Sequence, residues 1–127
     1  MLEKAKNRFP DLEVSKIVKQ LLSREKSFST RLSQDVATPH AYSADISEPI
    51  CGVVIAPFGL HWESEEAIVC LVFLVISPKD DPEIHLNILA EFARIASEDA
   101  IVQELLRSET SQSFMEKLQK ARTLLSD

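Results

Sequence analysis

The 127 residues predict an α/β domain with few strands and several helices, its sheet covered by helices on both faces. Two runs carry that expectation: residues 50–56 (ICGVVIA) and 68–76 (IVCLVFLVI) are rich in β-branched residues and lack the alternation of a half-exposed strand. Four other segments repeat their apolar residues at helical spacing. The length suits one domain over 1–127, and 45% hydrophobic residues suffice for one ordinary core.

The first helix is expected over residues 12–24, where Val14, Ile17, Val18, Leu21 and Leu22 share a face, after Pro10 and a capping Asp11, and it should end near Arg24. Residues 27–44 hold four serines, two threonines and a proline without periodicity, which predicts irregular backbone with at most one short strand around Val36 and Ala37. The two apolar strands follow. Asp81-Pro82-Glu83 then opens a helix with a capping acid, a proline at the first helical position and an acid in the first turn. Its apolar stripe runs through His85, Leu89, Phe92 and Ala96, with Ile88 and Ile95 beside it. A shorter helix is expected over 98–106 (Ala100, Ile101, Leu105, Leu106), and a last one over roughly 111–125 buries Phe114, Leu118, Ala121 and Leu125.

Charge removes several function classes. Twenty acidic against 14 basic residues give a net charge of −6, which opposes binding to nucleic-acid backbones or anionic lipid. Cys51 and Cys70 lie in apolar runs with no second Cys or His at ligand spacing, so they read as buried thiols in a reducing compartment. No signal-like start and no run long enough to cross a bilayer is present, so a cytoplasmic domain without direct membrane insertion is expected. With only Gly52 and Gly59, the glycine patterns of dinucleotide and P-loop sites are absent, as are the serine-hydrolase and zinc-protease motifs.

Histidine remains as the candidate chemistry. His40 follows Thr38-Pro39, a stiff support for an imidazole nucleophile. His85 lies near the start of its helix on the apolar stripe, where the helix dipole favours a neutral ring and a nearby anion. Arg24 offers a planar fork suited to a phosphoryl group. Taken singly, each has a plainer reading: a solvated loop histidine, a hydrogen-bonded residue at a helix edge, and a helix-end charge, with His61-Trp62 a loop and its anchor. A metal site made of His40, His61 and His85 is disfavoured, because no carboxylate or thiolate accompanies them at ligand spacing.

The order of Leu22, Arg24-Glu25-Lys26, Ser29-Thr30, Ala37-Thr38-Pro39-His40-Ala41, Gly59-Leu60-His61-Trp62 and His85-Leu86 resembles one family across residues 12–125. It is that of the enzyme IIA domain of the phosphoenolpyruvate-dependent sugar phosphotransferase system, mannitol/fructose type, which includes nitrogen-regulatory paralogues. The resemblance implies a small mixed β-sheet flanked by helices, with His40 accepting a phosphoryl group from an HPr-like phosphocarrier protein and passing it to a membrane permease component or fused transporter domain. His85 and Arg24 would support the transfer, with no metal or cofactor required. Exposed apolar groups near the loop, Phe58 and Trp62, would dock the partner. The sequence departs from the family pattern at Ser33-Gln34-Asp35, where glycine is usual, and at Tyr42, where a basic residue often stands. The usual amino-terminal strand is expected to be absent, with a helical remnant at 2–8, leaving an open sheet edge that would allow a homo-oligomer or mark a piece of a larger protein. The alternative is a non-catalytic regulatory domain attached to a cation or amino-acid transporter.

Overall fold

The computed structural model describes residues 10, 12–27, 30–62 and 64–125, with the backbone alone at 25–27, 62 and 64–67. The expectations for residues 2–8, Asp11 and Ser29, and for an amino-terminal strand, lie outside the described residues. The elements are α1 (Val14–Ser27), β1 (Val36–Ala37), β2 (His40–Ser43), β3 (Ile50–Trp62), β4 (Ser64–Pro78), α2 (Pro82–Ala96), α3 (Asp99–Leu106) and α4 (Ser111–Leu125).

Every strand pairs with β4, the most apolar segment of the chain. β1 and β2 run parallel to it, Val36 beside Leu71 and His40 beside Val75, while β3 runs antiparallel to it as the first arm of a hairpin. The offset from β1 to β4 equals that from β2 to β4, so these two short strands are one extended line interrupted at Thr38-Pro39. Proline has no N–H for a ladder, but its carbonyl still accepts from Val75 N at 3.0 Å. The irregular segment expected over 27–44 therefore contains a second strand that the sequence reading missed, and His40 opens that strand instead of sitting in a loop.

The two larger of three buried clusters lie on opposite faces of the sheet, the third being Ala37, Val69 and Val72. Leu71, Phe73 and Val75 meet Phe92, Ile95, Val102, Leu105 and Phe114 from α2, α3 and α4, and the rings of Phe73 and Phe92 stack with centroids 4.2 Å apart. On the other face, Ile76 and Ala41 join Leu12, Ile46 and Ile17 of α1. Helices thus flank a small mixed sheet on both sides, as the sequence predicts. α1 runs on to Ser27, beyond the expected end near Arg24, and presents Ile17 to the core while Val18 and Leu22 of the expected apolar face stay exposed. In α3, Val102 and Leu105 are buried and Ala100 is exposed.

Two further expectations are corrected. β4 is covered on both faces along 69–77, but among the described residues β3 is an edge strand paired only with β4, and its Val54, Phe58 and Leu60 are exposed. Cys51, on that edge, is correspondingly exposed and Cys70 half-buried, although partial cover of the Cys51 thiol and the nearby Glu91 carboxylate push its pKa up. Both thiols are free. Among the described residues no helix is long and apolar enough to cross a membrane.

Candidate functional site

The register of β2 against β4 and the start of α2 together build the site. His40 and Tyr42 stand two residues apart on β2 and therefore face the same side, with Ser77 of β4 beside Tyr42. A short turn follows β4. Asp81 then caps α2 by accepting from Ile84 N at 3.2 Å, and Pro82 occupies the first helical turn. His85, one turn into α2, is carried back over the strand ends and packs between the two β2 rings. Its centroid lies 5.1 Å from that of His40 and 4.3 Å from that of Tyr42.

The hydrogen bonds assign atoms to the two imidazoles. His40 Nδ1 lies 2.9 Å from the Thr38 carbonyl oxygen. A carbonyl can only accept, so Nδ1 carries the proton and the lone pair of neutral His40 resides on Nε2. His85 is 2% exposed, and its Nδ1 lies 2.6 Å from Ser77 Oγ. Its Nε2 is buried with no hydrogen-bond partner, as is the Thr38 hydroxyl two residues before His40. Two unpartnered buried polar atoms beside a candidate nucleophile are groups that a polar ligand could satisfy. Burial of the ring lowers the His85 pKa below its ordinary 6.5, and the charges of His40 and Arg24 lower it further.

Arg24 bears on the site from α1 through its charge. The Gln20 side chain bonds both backbone groups of Tyr42, accepting from its N–H at 2.7 Å and donating to its carbonyl at 3.0 Å. One amide thus replaces a neighbouring strand along the open edge of β2. Arg24 lies one turn further along the same face of α1, exposed and close enough for its charge to act on His85.

The structure therefore brings His40 and His85 together with Arg24 in electrostatic reach. His61 does not join them: it pairs with Ile68, seven residues along β4 from Val75, about 23 Å away at strand rise, and is a strand residue instead of part of a loop. Phe58 is fully exposed, but it projects from the bulge opposite Cys70, roughly 13–20 Å along β4 from the partner of His40, so it does not border the site. The Trp62 side chain is not among the described features. Sequence reasoning missed Ser77 as the His85 partner and Gln20 as the edge clasp. The signal for Ser77 is a hydroxyl placed directly after the apolar run 67–76 of β4.

The family described as "Phosphoenolpyruvate-dependent sugar phosphotransferase system, EIIA 2" matches residues 3–121. The PTS system fructose-specific EIIABC component of Mycoplasma pneumoniae is 28% identical over 86 residues, covering 67% of this chain and 12% of that protein. The nitrogen regulatory protein of Pseudomonas aeruginosa is 29% identical over 100 residues, covering 78% of this chain and 64% of its own length. Less than two thirds of either relative is therefore spanned. The crystal structure of the nitrogen regulatory protein IIA-Ntr from Neisseria meningitidis superposes with a TM-score of 0.77 at 24% identity, over 85% of this chain and 75% of that one. With the match extending over nearly all of its length, the chain belongs to the EIIA 2 family of the phosphoenolpyruvate-dependent sugar phosphotransferase system.

Proposed function

We propose that this chain is a histidine phosphocarrier in which His40 Nε2 takes a phosphoryl group from the phosphohistidine of an HPr-like protein and hands it to a sugar-transport component. The observation that carries this reading is the bond from His40 Nδ1 to the Thr38 carbonyl, which leaves Nε2 as the nucleophile, beside the buried His85 ring. As the donor N–P bond breaks, a new N–P bond forms at Nε2, and the donor imidazole leaves with its own electron pair. The proton stays on Nδ1, donated to the Thr38 carbonyl oxygen throughout, so no proton transfer is needed in the step. A loose phosphoryl transition state asks for in-line positioning and for charge to meet its equatorial oxygens. The buried Nε2 of His85 and the Thr38 hydroxyl supply such groups, strengthened by the exclusion of water, and the exposed Arg24 guanidinium adds its charge from α1. The membership of a family of phosphotransferase components supports the reading.

Incubation with phosphoenolpyruvate, enzyme I and HPr tests it. A mass gain of one phosphoryl group is expected, lost in His40→Ala and slowed about 100–1,000-fold in His85→Ala, the usual effect of removing one preorganised donor. Absence of the gain, or its survival in His40→Ala, overturns the reading.

A regulatory use of the same pocket is the second reading, favoured by the likeness to a protein named as a nitrogen regulator. It predicts that a partner distinguishes phosphorylated from unphosphorylated chain, or, for a non-catalytic domain joined to a transporter, that no phosphoryl group arrives at all.

A further inference from the structure

We infer that Ser77 is a positioning residue for the proposed transfer: its hydroxyl donates to His85 Nδ1 and so fixes the tautomer in which His85 Nε2 carries the proton and serves as a donor. This inference rests on the phosphocarrier reading and adds a residue to it.

The argument is one of hydrogen-bond accounting at a fully buried place. Ser77 is 0% exposed and His85 is 2% exposed, so water does not satisfy either side chain. The Ser77 Oγ to His85 Nδ1 distance of 2.6 Å is a short bond with two possible directions. If Nδ1–H donated to the hydroxyl, the Ser77 proton would still need an acceptor, and His85 Nε2 would be a buried lone pair facing a site meant for an anion. If the hydroxyl donates, its proton is used, Nδ1 is satisfied, and the proton on Nε2 is the group available to a phosphoryl oxygen. The second arrangement leaves one orphan donor in the resting state, the observed Nε2, and that orphan is consumed when the ligand arrives.

The placement follows from the fold. Ser77 closes the apolar run of β4 beside Tyr42, and the tight turn into α2 returns His85 over it. The lowered pKa of His85 keeps the ring neutral, so that tautomer choice, and not charge, decides whether it donates.

The test uses nitrogen-15 NMR of the histidine side chains with single-turnover phosphoryl transfer from phosphorylated HPr, on the whole chain. Expected are the Nε2–H tautomer for His85 in the wild type, a shift toward Nδ1–H in Ser77→Ala, and transfer slowed about 10–100-fold, the range for removing a partner that orients a histidine ligand. Ser77→Thr, which restores a hydroxyl with a strand-compatible side chain, is expected to recover both. An Nδ1–H tautomer in the wild type overturns the inference, as does a Ser77→Ala protein with unchanged tautomer and rate. If the wild type accepts no phosphoryl group, the phosphocarrier reading falls and takes the role of Ser77 in transfer with it. Normal acceptance with no effect of Ser77→Ala removes Ser77 alone.

Discussion

At the residue scale, the site depends on an imidazole that the fold keeps uncharged. The unfolded chain exposes His85 at its ordinary pKa of 6.5, while burial and the nearby charges of His40 and Arg24 lower the folded value. Above 6.5 the ring is neutral in both states and its contribution to stability is fully present. As the pH falls below 6.5 the unfolded state takes up the proton first, and stability is lost until the folded value is passed. Urea unfolding between pH 7.5 and 5.5 is therefore expected to show falling stability in the wild type and a shallower fall in His85→Gln, and equal slopes would refute the assignment. Residues of this kind were partly legible in sequence. His40, His85 and Arg24 stand out by chemical type and order, whereas Thr38 and Ser77 meet the two rings through a carbonyl and a hydroxyl whose positions are set by strand register. Nothing in a local run of residues records that register.

At the element scale, the two open edges of the sheet are handled differently. The β2 edge is closed by the Gln20 amide, which satisfies both backbone groups of Tyr42. Gln20→Ala should cost about 1 kcal/mol in denaturant unfolding, since these bonds are exposed and their net worth is modest. The β3 edge is instead disrupted by a bulge, in which residues 56–59 oppose Cys70 alone. Gly59 makes this possible: its φ of +82° lies in the left-handed region, and an added Cβ would come 2.1 Å from Ile68 Cγ2. Gly59→Ala should therefore cost about 1–3 kcal/mol through backbone strain and the displacement of Ile68. A neutral result in either denaturation experiment would show that the corresponding edge is not secured in this way. The helices were readable because long periodic segments announce themselves and because Asp81-Pro82 is a start signal with a mechanism. β2 was hidden because it is four residues long and follows a proline. β3 was misjudged as doubly covered because an apolar strand reads alike at the edge and the centre of a sheet.

At the scale of the whole molecule, the two cores divide the labour unequally. One face of β4 meets three helices, with Phe73 at 0% exposure at its centre, whereas the other face meets α1 through a smaller set led by Ile17 and Ile76. α1 packs chiefly on β2, and its face toward solvent is broad, with Val18 and Leu22 both exposed. The free energy for opening a segment scales with the apolar surface that its release exposes, so α1 is expected to open locally without unfolding β4 or α2. Hydrogen exchange followed by mass spectrometry should then find α1 amides exchanging by a route of lower free energy than those of β4. Ile17→Ala should widen that difference, because it removes a buried side chain of the smaller core and leaves the larger one intact. Phe73→Ala should lower protection throughout, by about 3–5 kcal/mol, since its cavity lies where all three C-terminal helices meet the sheet. The functional consequence is specific: α1 carries Arg24, so a loosened α1 should slow phosphoryl transfer while leaving the His40–His85 pair, held by β2, β4 and α2, assembled. Equal protection of α1 and β4 in the wild type, or a global loss of protection in Ile17→Ala, would show that the two cores unfold as one unit and that α1 is not separable from the site.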